Sequence, residues 1–110
     1  MTAQQKKIQE IQMIEQNLQN IIIQKQAFQI ELTESSSALK EIEKSGDEVF
    51  KIIGQLMVKT DKVEMKKELE NKKKILELRL KTIETQEKSL TEKSEKIRDE
   101  LIKEMGEKKK

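Results

Sequence analysis

Val49-Phe50-Lys51-Ile52-Ile53-Gly54-Gln55-Leu56-Met57-Val58-Lys59-Thr60 lies between two long, charged stretches that read as helices. Val, Phe and Ile crowd into this segment, and such side chains pack well on a pleated surface. Gly54 falls at the middle. With Gln55 it suits a two-residue type II′ turn, in which Gly takes the first central position. That turn pairs Ile53 with Leu56, Ile52 with Met57 and Lys51 with Val58, while Lys51 and Lys59 break a strict alternation. Continuation of one helix into the next is the competing reading of the same residues. A lone two-stranded hairpin is marginally stable in water, and its open edges invite pairing with another chain. The apolar segment is therefore read as an assembly surface built from Val49, Phe50, Ile52, Ile53, Gly54, Leu56, Met57 and Val58.

Working outward, the flanking stretches carry heptads. Before the segment, one row is Ile11, Leu18, Lys25, Leu32 and Leu39, and the other is Ile14, Ile21, Phe28, Ser35 and Ile42. Eight of these ten positions are apolar, the pattern of a coiled-coil seam. Lys25 and Ser35 weaken that seam and fix its register. A helix over 4–45 at ~1.5 Å per residue is about 60 Å long. Ser45-Gly46-Asp47 stops it, with Gly46 placed for the left-handed residue after a helix end. After the segment, Asp61 and Glu64 have the spacing of a capping box. Leu69, Leu76, Ile83, Leu90 and Ile97 then repeat at intervals of seven. Their companions three residues on, Lys72, Arg79, Gln86, Lys93 and Glu100, are polar, as Met65 before them is not. Leu80 and Leu101 widen the stripe from the other side.

The expected architecture is mainly α: a long antiparallel two-helix coiled coil with one β-hairpin at the helix–helix reversal. Its parts are a first helix over 4–45, a hairpin over 49–60, a second helix over 61–106 and a flexible tail over 107–110, all in one domain. The termini then lie together at one end and the hairpin at the other. Parallel pairing of each helix with a second copy is the alternative, and the reversal argues against it.

Composition narrows the function. Of 110 residues, 40% are charged and 34% hydrophobic, with Phe28 and Phe50 the only aromatics. So much charge is compatible with disorder, but the regular apolar spacing favours helices. The 23 basic and 21 acidic residues leave a net charge of +2, with both signs interleaved, which gives no case for nucleic acid or an acidic membrane. The Lys108-Lys109-Lys110 end is read as solvated. The chain has no Cys, hence no disulfide or thiolate metal site, and no His, hence neither the commonest general base nor the commonest transition-metal ligand. No phosphate-cradling glycine motif occurs. Ser35-Ser36-Ser37 has no base near it in sequence. The expectation is therefore no catalytic, cofactor or metal site. The N-terminal residues have no apolar core of a signal peptide, and Ile21-Ile22-Ile23 is too short to span a bilayer, so a cytoplasmic protein is expected.

Gln24-Lys25-Gln26, Leu39-Lys40-Glu41-Ile42, the Ser-Gly-Asp-Glu break at 45–48, Val49-Phe50-Lys51-Ile52-Ile53-Gly54, Leu56-Met57-Val58-Lys59, Leu78-Arg79-Leu80-Lys81 and Gln86-Glu87 follow in an order that resembles the β-type subunit of prefoldin, the GimC chaperone. The resemblance covers about residues 4–105 and is most specific at the hairpin start, where Phe50 stands at a position the family commonly gives to Tyr. The α-type subunits of that family carry two hairpins, and the twelve residues here fit one.

The resemblance implies a hexamer of two α-type and four β-type subunits in archaea, joined through hairpins into a β-barrel-like platform. A eukaryotic β-type paralogue in a heterohexamer fits the same residues. It further implies an ATP-independent holdase that captures unfolded polypeptides at coiled-coil tips and passes them to a group II chaperonin. Carried onto this sequence, the client-binding tips are Ile8, Ile11, Met13 and Ile14 with Ile97, Leu101, Ile102 and Met105. Ile11, Ile14, Ile97 and Leu101 also read as ordinary seam. Glu100, Lys103, Glu104 and Lys108 are chaperonin-contact candidates by family analogy alone. The rival reading is a structural coiled-coil tether or adaptor without chaperone activity, which leaves the apolar hairpin unexplained.

Overall fold

A computed structural model describes residues 2–108, with side chains as far as Gly106. Lys109, Lys110 and the Lys108 side chain, named above as tail and chaperonin contact, lie outside the described residues. Helix α1 (Ala3–Lys44) leads into strands β1 (Glu48–Ile53) and β2 (Leu56–Asp61), and helix α2 (Lys62–Lys108) follows. The expected hairpin is present rather than a continuous helix. Its antiparallel register sets Ile53 against Leu56, Ile52 against Met57 and Lys51 against Val58. Gly54 turns the chain with φ of 61°, a left-handed value that glycine adopts without steric cost.

Three local features correct the expectation. Gly46 is not left-handed, since Gly54 is the only glycine with positive φ among the described residues. The last carbonyls of α1 are satisfied otherwise. The Ser45 hydroxyl donates to the Ile42 carbonyl at 2.8 Å, and the Lys62 ammonium donates to the Glu43 and Ser45 carbonyls, each at 3.3 Å. Such groups replace the αL cap, because what a helix end requires is a donor for its free carbonyls. Secondly, α2 runs through Gly106 to Lys108, where a tail was expected from 107. One glycine costs a helix about 1 kcal/mol, which does not end it. Thirdly, the companion row of α2 lies four residues on from Leu69, Leu76, Ile83, Leu90 and Ile97 and not three. Lys72, Arg79, Gln86, Lys93 and Glu100 are exposed, whereas Lys73, Leu80, Glu87, Ser94 and Leu101 are buried or half-buried. Heptad rows alternate steps of three and four, and the four-step selects Leu80 and Leu101.

The chain divides into two units, Ala27–Leu80 and Met1–Gln26 with Lys81–Lys110. The first holds the hairpin. Its inward residues are Leu32, Ser35, Leu39 and Ile42 from α1 and Leu69, Leu76 and Leu80 from α2. Leu76 is 2% exposed. The Arg79 guanidinium lies over the half-buried Phe28 ring, 5.9 Å from its centroid, at the range of a cation–π contact. Asp61 Oδ1 accepts the Glu64 N–H at 2.7 Å and so caps the start of α2. Glu43 and Lys66 join the two helices beside the hairpin at 2.5 Å. In the second unit, Ile11, Ile14, Leu18 and Ile21 of α1 and Ile83, Leu90, Ile97 and Leu101 of α2 turn inward. Cross-helix contacts of Lys25 with Glu87, Glu15 with Arg98 and Lys7 with Glu104 advance along α1 as they retreat along α2. The helices of this unit are therefore antiparallel.

Leu76→Ala removes the best buried side chain and should cost about 2–5 kcal/mol in urea unfolding. Lys72→Ala, on a row facing solvent, should change it by no more than about 0.5 kcal/mol. A second prediction concerns acid. The hydrogen bond from Lys66, and then its charge, hold the Glu43 carboxyl below the ordinary carboxylate range. A depressed carboxylate contributes stability above its unfolded pKa of about 4.3 and loses it as pH falls through the lowered folded value. Glu43→Gln should therefore melt below the parent chain at pH 7, and circular dichroism melts of the two should converge as pH drops below about 4.

Candidate functional site: the hairpin faces and the terminal helix ends

Alternation along the strands gives the hairpin two faces. Val49, Lys51 and Ile53 share one with Thr60, Val58 and Leu56, and Phe50 and Ile52 share the other with Lys59 and Met57. At the base of the first face, Val49, Lys51 and Thr60 are half-buried. The Lys51 ammonium donates to Glu68 of α2 at 3.1 Å, which ties β1 to the helix. Away from that brace the hairpin is uncovered. Ile52 is 73%, Leu56 69% and Met57 68% exposed, and Phe50, Ile53 and Val58 are exposed as well. Large apolar residues are thus open on both faces of one small sheet. Contiguous apolar exposure of this kind marks an interaction surface, and both strands of the two-stranded sheet leave an unpaired edge.

The terminal unit holds the other candidates, and the structure divides them. Ile14 and Ile97 are buried, and Ile11 and Leu101 half-buried, so all four face the opposing helix. Ile8, Met13, Ile102 and Met105 are exposed. Lys103 is exposed, while the half-buried Glu104 contacts Lys7, and Glu100 lies 3.8 Å from the same ammonium. Two of the proposed chaperonin contacts therefore have an intrachain partner. The hydrogen bond that the Lys7 ammonium donates to Glu104 raises the Lys7 pKa above the ordinary lysine range; desolvation opposes it, and the charges of Glu104 and Glu100 add to it.

Lys7 escaped the sequence reading although its signal is present, since it stands one heptad before Ile14. Thr2 and Gln5 were missed likewise. Gln5 N–H donates to Thr2 Oγ1 at 3.1 Å and Thr2 N–H to Gln5 Oε1 at 3.0 Å, a reciprocal cap that starts α1 in the S/T-x-x-E/Q pattern. Ile22 and Ile23, part of the run too short to span a bilayer, are further exposed apolar residues, as are Ile30, Val63 and Ile75. Among the described residues, no group of three acidic side chains is placed to hold a metal ion, and no helix is long and apolar enough to cross a membrane.

Comparison with known proteins gives the family. Residues 5–108 match the model described as prefoldin subunit. The prefoldin subunit beta of Thermococcus onnurineus (strain NA1) is 50% identical over 60 residues, 53% of this chain and 52% of that one. The chain thus spans about half the length of that relative. The prefoldin subunit beta of Pyrobaculum neutrophilum is 34% identical over 91 residues, 81% of this chain and 72% of the relative. The crystal structure of the prefoldin beta subunit from Thermococcus strain KS-1 superposes with a TM-score of 0.82 at 39% identity, covering 92% of this chain and 90% of that one. With one hairpin between two long helices and a family match over nearly its whole length, the chain belongs to the prefoldin subunit family and is of the β type.

Proposed function

We propose that this chain is an ATP-independent chaperone subunit, a holdase that works in the cytoplasm without catalysing a reaction. It assembles through its hairpin with α-type subunits, two α to four β, captures unfolded polypeptides at its terminal helix ends, and hands them to a group II chaperonin. The observation that carries this reading is the hairpin, which exposes Ile52 and Met57 on one face and Leu56 on the other in a chain of this family. A tether or adaptor leaves that surface without a use. Burying one large apolar side chain stabilises by roughly 1.5–3 kcal/mol. Six such residues per hairpin, from Phe50 to Val58, offer enough to offset part of the cost of ordering an assembly.

At the terminal ends, Ile8, Met13, Ile102 and Met105 present apolar side chains beside a charged surface. The two Met side chains are flexible and polarizable and accept partners of many shapes. Chaperonin contact falls to the charged residues of the same region, Glu100, Lys103 and Glu104, and such contacts weaken as salt screens them.

Ile53→Asp or Val58→Asp, mixed with an α-type partner, should yield free monomers or small oligomers in sedimentation; a normal hexamer counts against assembly through the hairpin. Deletion of residues 1–14 and 97–110 should leave assembly intact and abolish ATP-free suppression of client aggregation. Unchanged light-scattering traces would refute capture at the helix ends.

A further inference from the structure

We infer that Lys7 and Glu104 form a latch that closes the terminal end of the helix pair, and that its opening regulates access of unfolded polypeptide to the apolar residues just inside it. This rests on the capture reading above. The inward rows locate the latch. Lys7 lies one heptad before Ile14 and Glu104 one heptad after Ile97. Both are half-buried seam positions, and they meet in a direct contact. The layers next to them, Ile11 with Ile14 and Ile97 with Leu101, are apolar. Glu100 at 3.8 Å gives the same ammonium a second carboxylate, and the contact between Arg98 and Glu15 braces the helices further in.

The second seam pair of this unit shows why position matters. Lys25 and Glu87 also face each other, at 3.4 Å. On α1 that pair follows Leu18 and Ile21, and on α2 it stands between Ile83 and Leu90. Separating it breaks apolar layers as well. Among the described residues, the α1 seam beside Lys7 carries the apolar Ile11 on one side and the polar Gln4 on the other. A partly exposed ion pair is weak because water competes for both charges, and terminal turns open at little cost. An apolar layer in its place would stay shut. The latch keeps Ile11 and Leu101 half-buried against the opposing helix in the resting chain and gives way when an apolar client segment takes their contacts.

The test uses the full chain assembled with its α-type partner. The variants are Lys7→Glu, the charge swap Lys7→Glu with Glu104→Lys, and the sealed pair Lys7→Leu with Glu104→Leu. The readouts are amide exchange over residues 3–14 and 97–106 and the light scattering of guanidinium-denatured citrate synthase on dilution. Lys7→Glu places three carboxylates together and should speed exchange in both segments on the order of fivefold, with less chaperone needed for half suppression. The swap should return both values toward the parent. The sealed pair should slow exchange and weaken suppression. Unchanged exchange in Lys7→Glu overturns the latch, and so does faster exchange with unchanged suppression. Should Lys7→Glu fail to assemble, a sealed pair that suppresses as well as the parent overturns it. A parent chain that still suppresses after deletion of both terminal segments refutes capture at the ends, a failure distinct from that of the latch.

Discussion

Lys7 and Lys25, the charges that α1 turns inward in the terminal unit, each meet a carboxylate of α2, and the register of the two helices depends on that match. Apolar heptads alone tolerate sliding, since one Ile or Leu layer packs much like the next. A slide of one heptad that brings Lys7 to Ile97 and Lys25 to Leu80 would part both lysines from their carboxylates; each partly exposed pair is weak alone, and the two favour the same alignment. Ser35 and Ser94, 3% and 5% exposed, add small polar positions at two further layers. Among the described residues, no buried side-chain nitrogen or oxygen lacks a hydrogen-bond partner. The seam thus gives up some apolar area and gains a single alignment.

The hairpin depends on the same helices by a different means. Two strands bury too little to stand alone, and this pair leaves most of its apolar side chains open. What holds its base is polar. Lys51 reaches Glu68, the Lys62 N–H donates to the Asp47 carbonyl at 3.0 Å, and Asp61 ends β2 while capping α2. Asp61 and Lys62 therefore each serve two elements, which fixes where the strands leave the helices. The apolar side chains stay open because charged and polar groups position the hairpin.

Legibility in the sequence followed from how local each signal is. The strands, their turn and their register were readable because β-branched residues, one central Gly and alternation agree within twelve residues. The ten inward positions of α1 from Ile11 to Ile42 were readable because both rows are mostly apolar there. The second row of α2 was not, because Lys73, Glu87 and Ser94 occupy it, and a polar residue in a seam is invisible until its partner on the other helix is known. Lys7 differs in that its place one heptad before Ile14 extends a row already legible. Gly46 misled for the opposite reason. A glycine after a helix suggests an αL cap, but the donors that satisfy those carbonyls come from Ser45 and from Lys62, on the far side of the hairpin. The candidate ends were only half legible, since periodicity separates Ile11 and Leu101 from Ile8 and Ile102 but does not reveal that charge closes the seam beside them.

The two apolar surfaces differ in a way that bears on their use. At the hairpin, apolar side chains come with unpaired strand edges, and an edge specifies its partner through a fixed ladder of N–H and C=O groups. Such a surface suits one defined neighbour held for long. At the terminal ends, Ile8, Met13, Ile102 and Met105 sit on helices whose backbone groups are already bonded within α1 and α2. No backbone ladder is on offer there, so contact is by side chains alone and imposes no register. Flexible Met and scattered Ile suit apolar partners of many shapes. One chain can therefore carry a selective surface and a permissive one without either compromising the other, because the distinction lies in whether the backbone takes part.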